Sequence, residues 1–495
     1  MAEQNPLLYT KKNAFDQLTD SDLAAVHRYA EDYKKFLDAA KTEREAVRES
    51  IRLAELAGFK ALSKSGAKLE PGAKVYRSLG GKALLLAIVG RKPISDGLLI
   101  AGAHIDSPRL DLKQQPLYED SEMALFKTHY YGGIKKYQWV ATPLALHGVV
   151  VKKDGTVVNI SVGERDDEPT FIITDLLPHL GKDQEKKSLG EAFTGENLNI
   201  LIGSRPTGAE TDTSRFKLAI LEILNEKYGI SEEDFLSAEL EAVPAGHARD
   251  IGFDRSLIAG YGHDDRSCAY AALRAIIEQA QRLTATVAAQ PTTPLPKKRG
   301  RPPKSATIPP NVDLIPEKTL VAFLSDKEEI GSMGTTGALS AAFESFVSQL
   351  SGGLCGVAQA FEHSFCLSAD VCNALDPNFP EVSEKNNAAK INYGVGILKH
   401  TGSRGKSGSS EAAAETVAKL RRAFSDGGVI WQMSELGKVD QGGGGTIAQY
   451  MANRNIETID AGVPVLSMHA PWEVVSKVDC YMTFKGIRAI YESNI

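Results

Sequence analysis

The chain has 495 residues, too many for one ordinary core, so two or three domains are expected. With 42% apolar and 24% charged residues, its composition is that of a globular protein rather than a disordered or fibrous one. A formal net charge of −6 gives no global signal for nucleic acid or an anionic membrane, and no apolar run approaches the ~20 residues of a membrane span.

The first residues, Met1-Ala2-Glu3-Gln4-Asn5-Pro6, lack the basic start and apolar stretch of a signal peptide. Five cysteines (Cys268, Cys355, Cys366, Cys372 and Cys480) are sparse and without Cys-x-x-Cys spacing. Reduced thiols in a cytoplasmic protein are therefore expected, and a cysteine zinc site is not.

In chain order, apolar residues at helical spacing predict helix from Asp20 to Phe59, with Thr19, Asp20 or Ser21 as caps and Gly58 as a stop. Two continuously apolar runs, 83–89 and 97–103, read as strands covered on both faces. The second ends at His104-Ile105-Asp106-Ser107-Pro108-Arg109. From 111 to 250 strands alternate and turns multiply; 149–158 is a hairpin with Asp154-Gly155 at its tip, and 214–228 is one amphipathic helix. This stretch is read as a β-rich domain (111–250) inserted into an α/β domain made of 1–110 and 251–495.

The α/β pattern resumes at His263-Asp264-Asp265, with a helix from Ala269 to Leu283. An apolar strand, 319–324, leads into Asp326-Lys327-Glu328-Glu329-Ile330-Gly331-Ser332. Helices are expected at 334–350 and 410–424, and strands at 365–369, 429–433 and 464–468. Between them, 286–312 is basic and proline-rich and is read as a disordered loop. Its Arg299-Gly300-Arg301-Pro302 core, within Lys297–Lys304, resembles a minor-groove DNA-binding AT-hook; the ordinary reading is a solvated linker.

Polar residues gather at the predicted element ends: His104 with Asp106, Asp264 with Asp265, Glu328 with Glu329, Asp370, and His469. In open α/β sheets ligands bind beyond the carboxyl ends of strands. Two adjacent glutamates there call for positive charge, and histidine with carboxylates suits zinc or a similar divalent ion. Each residue alone has a plainer reading, as a cap, a turn or a packed histidine; together at element ends they do not. His263, beside Asp264, is expected to point away from the site.

These motifs resemble the M18 family of metallo-aminopeptidases, which includes aspartyl aminopeptidase. The matching residues are Ala103–Pro108, Asp264-Asp265-Arg266, Asp326–Ser332, Ala369-Asp370 and Ser467-Met468-His469, in the family's order across nearly the whole chain. The resemblance implies a mixed-sheet α/β catalytic domain of the dinuclear zinc-peptidase type, an inserted dimerisation domain, and dimers assembling into a tetrahedral dodecamer. It implies His104 and Asp370 on one metal, Glu329 and His469 on the other, Asp264 bridging, Glu328 as general base, and Asp106 orienting His104. Two divalent ions are expected, zinc foremost, with manganese or cobalt also suited.

His179, in Leu177-Pro178-His179-Leu180, resembles a family segment that reaches a neighbouring subunit's site; from the residues alone it is a surface-turn histidine. Lys399 falls where acidic-preferring members carry a substrate-binding lysine. The segments 403–408 and 470–473 depart from the aspartyl aminopeptidase pattern, so both an acidic and a neutral preference stay open. Gly442-Gly443-Gly444-Gly445-Thr446 lacks the Lys of a phosphate loop and is read as letting a peptide backbone approach. The competing functions are another metal-dependent amidohydrolase, such as a deacetylase or carboxypeptidase, and a non-catalytic DNA-associated scaffold.

Overall fold

The computed structural model describes residues 7–63, 69–288, 314–353 and 356–495. Lys297–Lys304 and Cys355 lie outside the described residues. Three sheets organise the rest: nine strands, six strands and five strands.

The nine-stranded sheet runs in the order Lys60–Ala61, Lys74–Leu79, Ala83–Ile88, Thr319–Ser325, Leu98–His104, Phe365–Ser368, Glu457–Gly462, Val395–Leu398, Trp431–Met433. Its central pairs, Thr319–Ser325 with Leu98–His104 and Leu98–His104 with Phe365–Ser368, are parallel. The pleat sends alternate residues to opposite faces. Leu84, Leu86, Leu320, Ala322, Leu99 and Ala101 face one core, under helices Asp20–Ala39, His263–Ala288 and Lys477–Glu492. Leu85, Ala87, Val321, Phe323, Leu98 and Ile100 face the other, under Ala342–Ser351 and Val357–Glu362. Burial on both faces explains why these strands read as unbroken apolar runs.

The chain leaves this sheet after His104 and enters the six-stranded antiparallel sheet at Arg109–Asp120. That sheet buries its own cluster, including Leu110, Phe126, Trp139, Leu146 and Leu240. Its hairpin Leu144–Val151 and Val157–Val162 turns at Asp154-Gly155, where Gly155 has φ 86°. The five-stranded sheet joins Arg249–Ile251, Leu257–Gly260, Glu473–Ser476, Pro464–Leu466 and Cys372–Asn373.

Several elements differ from expectation. The first helical stretch is two helices, Asp20–Ala39 and Glu43–Leu56, because Thr42 and Glu45 form a second capping box after Thr19 and Asp22. The helix at 263 runs on to Ala288, since no Gly or Pro interrupts it before Pro291, so the 286–312 segment begins helical. The helix expected from Gly334 starts at Ala342: Gly334 has φ 88°, and a side chain at Gly337 would strike the Ser332 carbonyl. The helix expected from Ser410 starts at Ala414. The strand Pro464–Leu466 belongs to the five-stranded sheet, so the site residues do not all converge from one edge of one sheet. Lys74–Leu79, Glu457–Gly462, Glu473–Ser476 and the buried helix Lys477–Glu492 were not expected at all.

Candidate active site

His104 is the last residue of its strand and is buried. Its Nδ1 donates to the main-chain carbonyl of Asp106 at 3.0 Å and lies 3.3 Å from Asp106 Oδ1. That fixes the proton on Nδ1 and turns Nε2 toward Asp264 Oδ1, 3.1 Å away. His469 is arranged the same way from the other side. Its Nδ1 donates to the Gly133 carbonyl at 2.7 Å, and its Nε2 lies 3.2 Å from Asp264 Oδ2. Asp264 therefore presents one oxygen to each imidazole.

The strand Thr319–Ser325 delivers the two glutamates. Lys327, at φ 67°, turns the chain into a short 3-10 turn, Glu328–Ile330, closed by Gly331 at φ 96°. The Asp106 carboxylate caps that turn: Glu328 N–H donates to Oδ1 at 3.1 Å and Glu329 N–H to Oδ2 at 3.2 Å. Glu329 Oε1 then lies 3.5 Å from His469 Nε2, and Glu328 Oε2 lies 3.9 Å from His104 Nε2. Asp370, just past Phe365–Ser368, places Oδ1 3.9 Å from His104 Nε2.

Two groups of three ligand atoms each lie within 4.8 Å of one another: His104, Asp264 and Glu329, and His104, Asp265 and Asp370. Asp264 Oδ1 and Glu329 Oε1 are buried without a hydrogen bond of acceptable geometry among the described residues. Burial pushes the Glu328 carboxyl up to about 7, with Asp106 and Asp264 adding to it, and burial likewise raises Glu329 and Asp370. Burial opposes ionisation of Asp264 too, yet the two histidines hold it below the usual carboxylate range. Crowded carboxylates, two imidazoles with Nε2 turned inward, and orphaned oxygens form a donor set that fits divalent cations of the zinc type.

Asp264, Glu328, Glu329, Asp370 and His469 line one wall of a cavity of about 540 Å³. Its other walls are Val371, Cys372, Leu398, Leu436 and Met468, the Gly443–Thr446 loop, Tyr450 and Asp460. Lys399 is not among the lining residues. It follows the strand Val395–Leu398 and pairs with Glu411 at 3.5 Å. His179 is exposed on the short turn Pro178–Asp183 and makes no contact with this group within the chain. His263 points away, as expected, with Nδ1 bonded to Tyr33 at 2.7 Å.

Two contributors escaped the sequence, and a third, Asp265, was given no role there. Glu473, 1% exposed, accepts His469 N–H at 2.7 Å and Asp264 N–H at 3.0 Å, one on each oxygen. Tyr131 donates to Asp106 Oδ2 at 2.8 Å. Asp265 Oδ2 accepts the His104 N–H at 3.3 Å. The available signals were a carboxylate opening a buried strand at Glu473, and the Tyr131-Gly132-Gly133 run closing another.

Comparison with known proteins agrees in kind. A family model described as aminopeptidase I zinc metalloprotease (M18) matches residues 36–293 and 309–491. A probable M18 family aminopeptidase 1 of Clostridium acetobutylicum is 48% identical over 98% of this chain and 99% of its own length. The crystal structure of aminopeptidase I from the same organism superposes with a TM-score of 0.86 at 47% identity, covering 98% of this chain and 100% of that one. An M18 aminopeptidase from Thermotoga maritima gives 0.86 at 40% identity, covering 98% and 99%.

Proposed function

The chain belongs to the M18 family of zinc metallo-aminopeptidases, and from that premise we propose that it releases N-terminal residues from peptides at a dinuclear metal centre. The observation that carries this reading is Asp264, which offers one oxygen to each of two inward-turned imidazoles. His104 and Asp370 would hold one ion and Glu329 and His469 the other, with Asp264 shared between them. Asp265 stands beside His104 and Asp370: its Oδ2 accepts the His104 N–H, and its Oδ1 is buried without a hydrogen bond among the described residues. Bound zinc, or manganese or cobalt, supplies Lewis acidity to the scissile carbonyl and acidifies the attacking water.

Glu328 is the general base. Its carboxyl, at the cavity wall beside His104, takes a proton from water and returns it to the leaving amine nitrogen. Asp106 holds the Glu328–Glu329 turn through both amides and orients the His104 ring. The ring of carboxylates gives a free α-amino group favourable surroundings, which suits an exopeptidase over a carboxypeptidase or deacetylase.

For side-chain preference, the cavity supports a neutral N-terminal residue. Apolar Val371, Leu398, Leu436 and Met468 line it, among the described residues no Lys or Arg does, and Lys399 is engaged by Glu411. We assign 1–110 and 251–495 to the catalytic domain and 111–250 to an inserted dimerisation domain. Exposed Leu176, Leu177, Leu180, Leu189 and Ile223 in that region support self-association, where His179 would meet a neighbouring subunit's site. The assembly expected is dimers forming a tetrahedral dodecamer. Among the described residues no helix is long and apolar enough to cross a membrane.

A panel of peptides with varied N-terminal residues, run after metal reconstitution, tests this. Turnover should require a free amino terminus, fall with chelation, and favour neutral over Asp or Glu termini. Cleavage that persists after N-acetylation would sink the aminopeptidase mechanism; dominance of acidic termini would sink the neutral-pocket reading alone.

A further inference from the structure

The strand Met123–Tyr131 belongs to the six-stranded sheet, which supplies none of the proposed ligands. Its end nevertheless touches three separate parts of the metal centre. Tyr131 donates its hydroxyl to Asp106 Oδ2 at 2.8 Å, the same oxygen that accepts the Glu329 N–H. Gly132, at φ 73°, passes so close to Glu329 that an added Cβ would lie 3.2 Å from Oε2 and 3.4 Å from Pro108 Cβ. Gly133 accepts the Nδ1 proton of His469 at 2.7 Å.

Tyr131 is itself held in place. Its cross-strand partner is Arg109, whose guanidinium sits 3.9 Å from the ring centroid. Arg109 is buried and tied to Asp111 at 2.8 Å and to Glu43 and Glu241 at 3.2 Å. Glu43 opens the helix Glu43–Leu56, so the strand end is braced from outside its own sheet. A phenol fixed this firmly gives the Asp106 carboxylate a third donor and restrains its rotation. Asp106 in turn sets both the Glu328–Glu329 turn and the tautomer of His104.

Resting on the aminopeptidase reading above, we infer that Tyr131-Gly132-Gly133 is a working part of the active site delivered by the inserted sheet: Tyr131 is a positioning residue for Asp106, and the Gly133 carbonyl is a positioning group for His469. Removing the hydroxyl alone, in Tyr131→Phe, leaves the ring over Arg109 and takes away only the restraint on Asp106. A group that acts through Glu328 and His104 alters turnover and ion retention while leaving substrate binding alone.

The test compares full-length wild type, Tyr131→Phe and Gly132→Ala for kcat, KM, Tm and zinc affinity by chelator competition. Tyr131→Phe should lower kcat at saturating zinc by about 10–100-fold, with KM within about twofold and Tm within about 2 °C. Gly132→Ala, strained in the left-handed region and pressed on Glu329, should weaken zinc binding by about 10-fold or more. If kcat of Tyr131→Phe and the zinc affinity of both variants stay within about twofold of wild type, the inference is overturned. A wild-type chain without turnover on any free-amine peptide would sink the aminopeptidase reading instead; the zinc affinities would still decide this one.

Discussion

Glu473→Gln tests how His469 and Asp264 are held together at the proposed metal centre. The carboxylate is buried and takes two main-chain donors, His469 N–H at 2.7 Å and Asp264 N–H at 3.0 Å. Glutamine has the same shape but one acceptor oxygen, so in either orientation its NH₂ faces one of the two N–H groups. The loss is one charge-assisted hydrogen bond, with a buried donor left unpaired, about 2–4 kcal/mol in all. His469 has the most to lose. Its φ of 66° is a left-handed conformation that costs a non-glycine residue about 1–2 kcal/mol, and the bond to Glu473 helps hold it there. A shifted His469 Nε2 no longer aligns with Asp264 and Glu329. Zinc affinity, measured by chelator competition, should fall about 10–100-fold in Glu473→Gln and further in Glu473→Ala, with turnover at limiting zinc falling in parallel. If Glu473→Gln binds zinc within about twofold of wild type, then Glu473 is a packing residue and the reasoning here is wrong.

Glu328→Gln should retain both ions yet lose turnover by about 10²–10⁴-fold, checked by metal analysis beside kcat. Glu329→Gln should instead drop metal content toward one ion per chain; full occupancy would mean the two glutamates are assigned the wrong way round. His147 lies buried between Glu45 and Glu164, both at 3.0 Å, and although burial opposes its charge they raise its pKa to about 9. Against an unfolded value of ~6.5, its contribution of about 3 kcal/mol is complete below that pH and lost as pH rises through about 9. Wild-type Tm should thus fall between about pH 7 and pH 9.5, with a shallower fall in His147→Gln. Phe323→Ala, which empties a buried site stacked on Phe343, should cost about 3–5 kcal/mol by denaturant unfolding.

Much of this architecture was legible because burial leaves a simple mark. Strands covered on both faces, such as Ala83–Ile88 and Leu98–His104, read as apolar runs, and a polar residue that ends one, as His104 does, stands out. His104, Glu328, Glu329 and Asp370 all follow such strands. What did not show was anything fixed by long-range geometry. Glu473 meets Asp264 from 209 positions away in the chain, and no local pattern encodes that contact. Glu457–Gly462 was missed because Asp460 and Gly462 interrupt its apolar run, although the strand is almost wholly buried. Lys399 falls by position where a pocket lysine would; Leu398 lines the cavity, and Lys399 pairs with Glu411.

Two like-charged neighbours at the end of one strand are a liability unless the backbone separates them. The 3-10 turn does so, since successive residues on it diverge by about 120°. Glu329 then leans toward His469 and Glu328 toward His104, so the pair divides between the two imidazoles instead of crowding one. The left-handed Lys327 and Gly331 set the two ends of that turn, and the Asp106 carboxylate accepts both of its free amides. A third acid thus holds two others apart, at distances where positive charge between the histidines satisfies all of them. The proposed roles of the two glutamates follow from this splay. Both line the cavity, but Glu329 is drawn in beside Asp264 and His469, while Glu328 stays more exposed, where a proton can reach it.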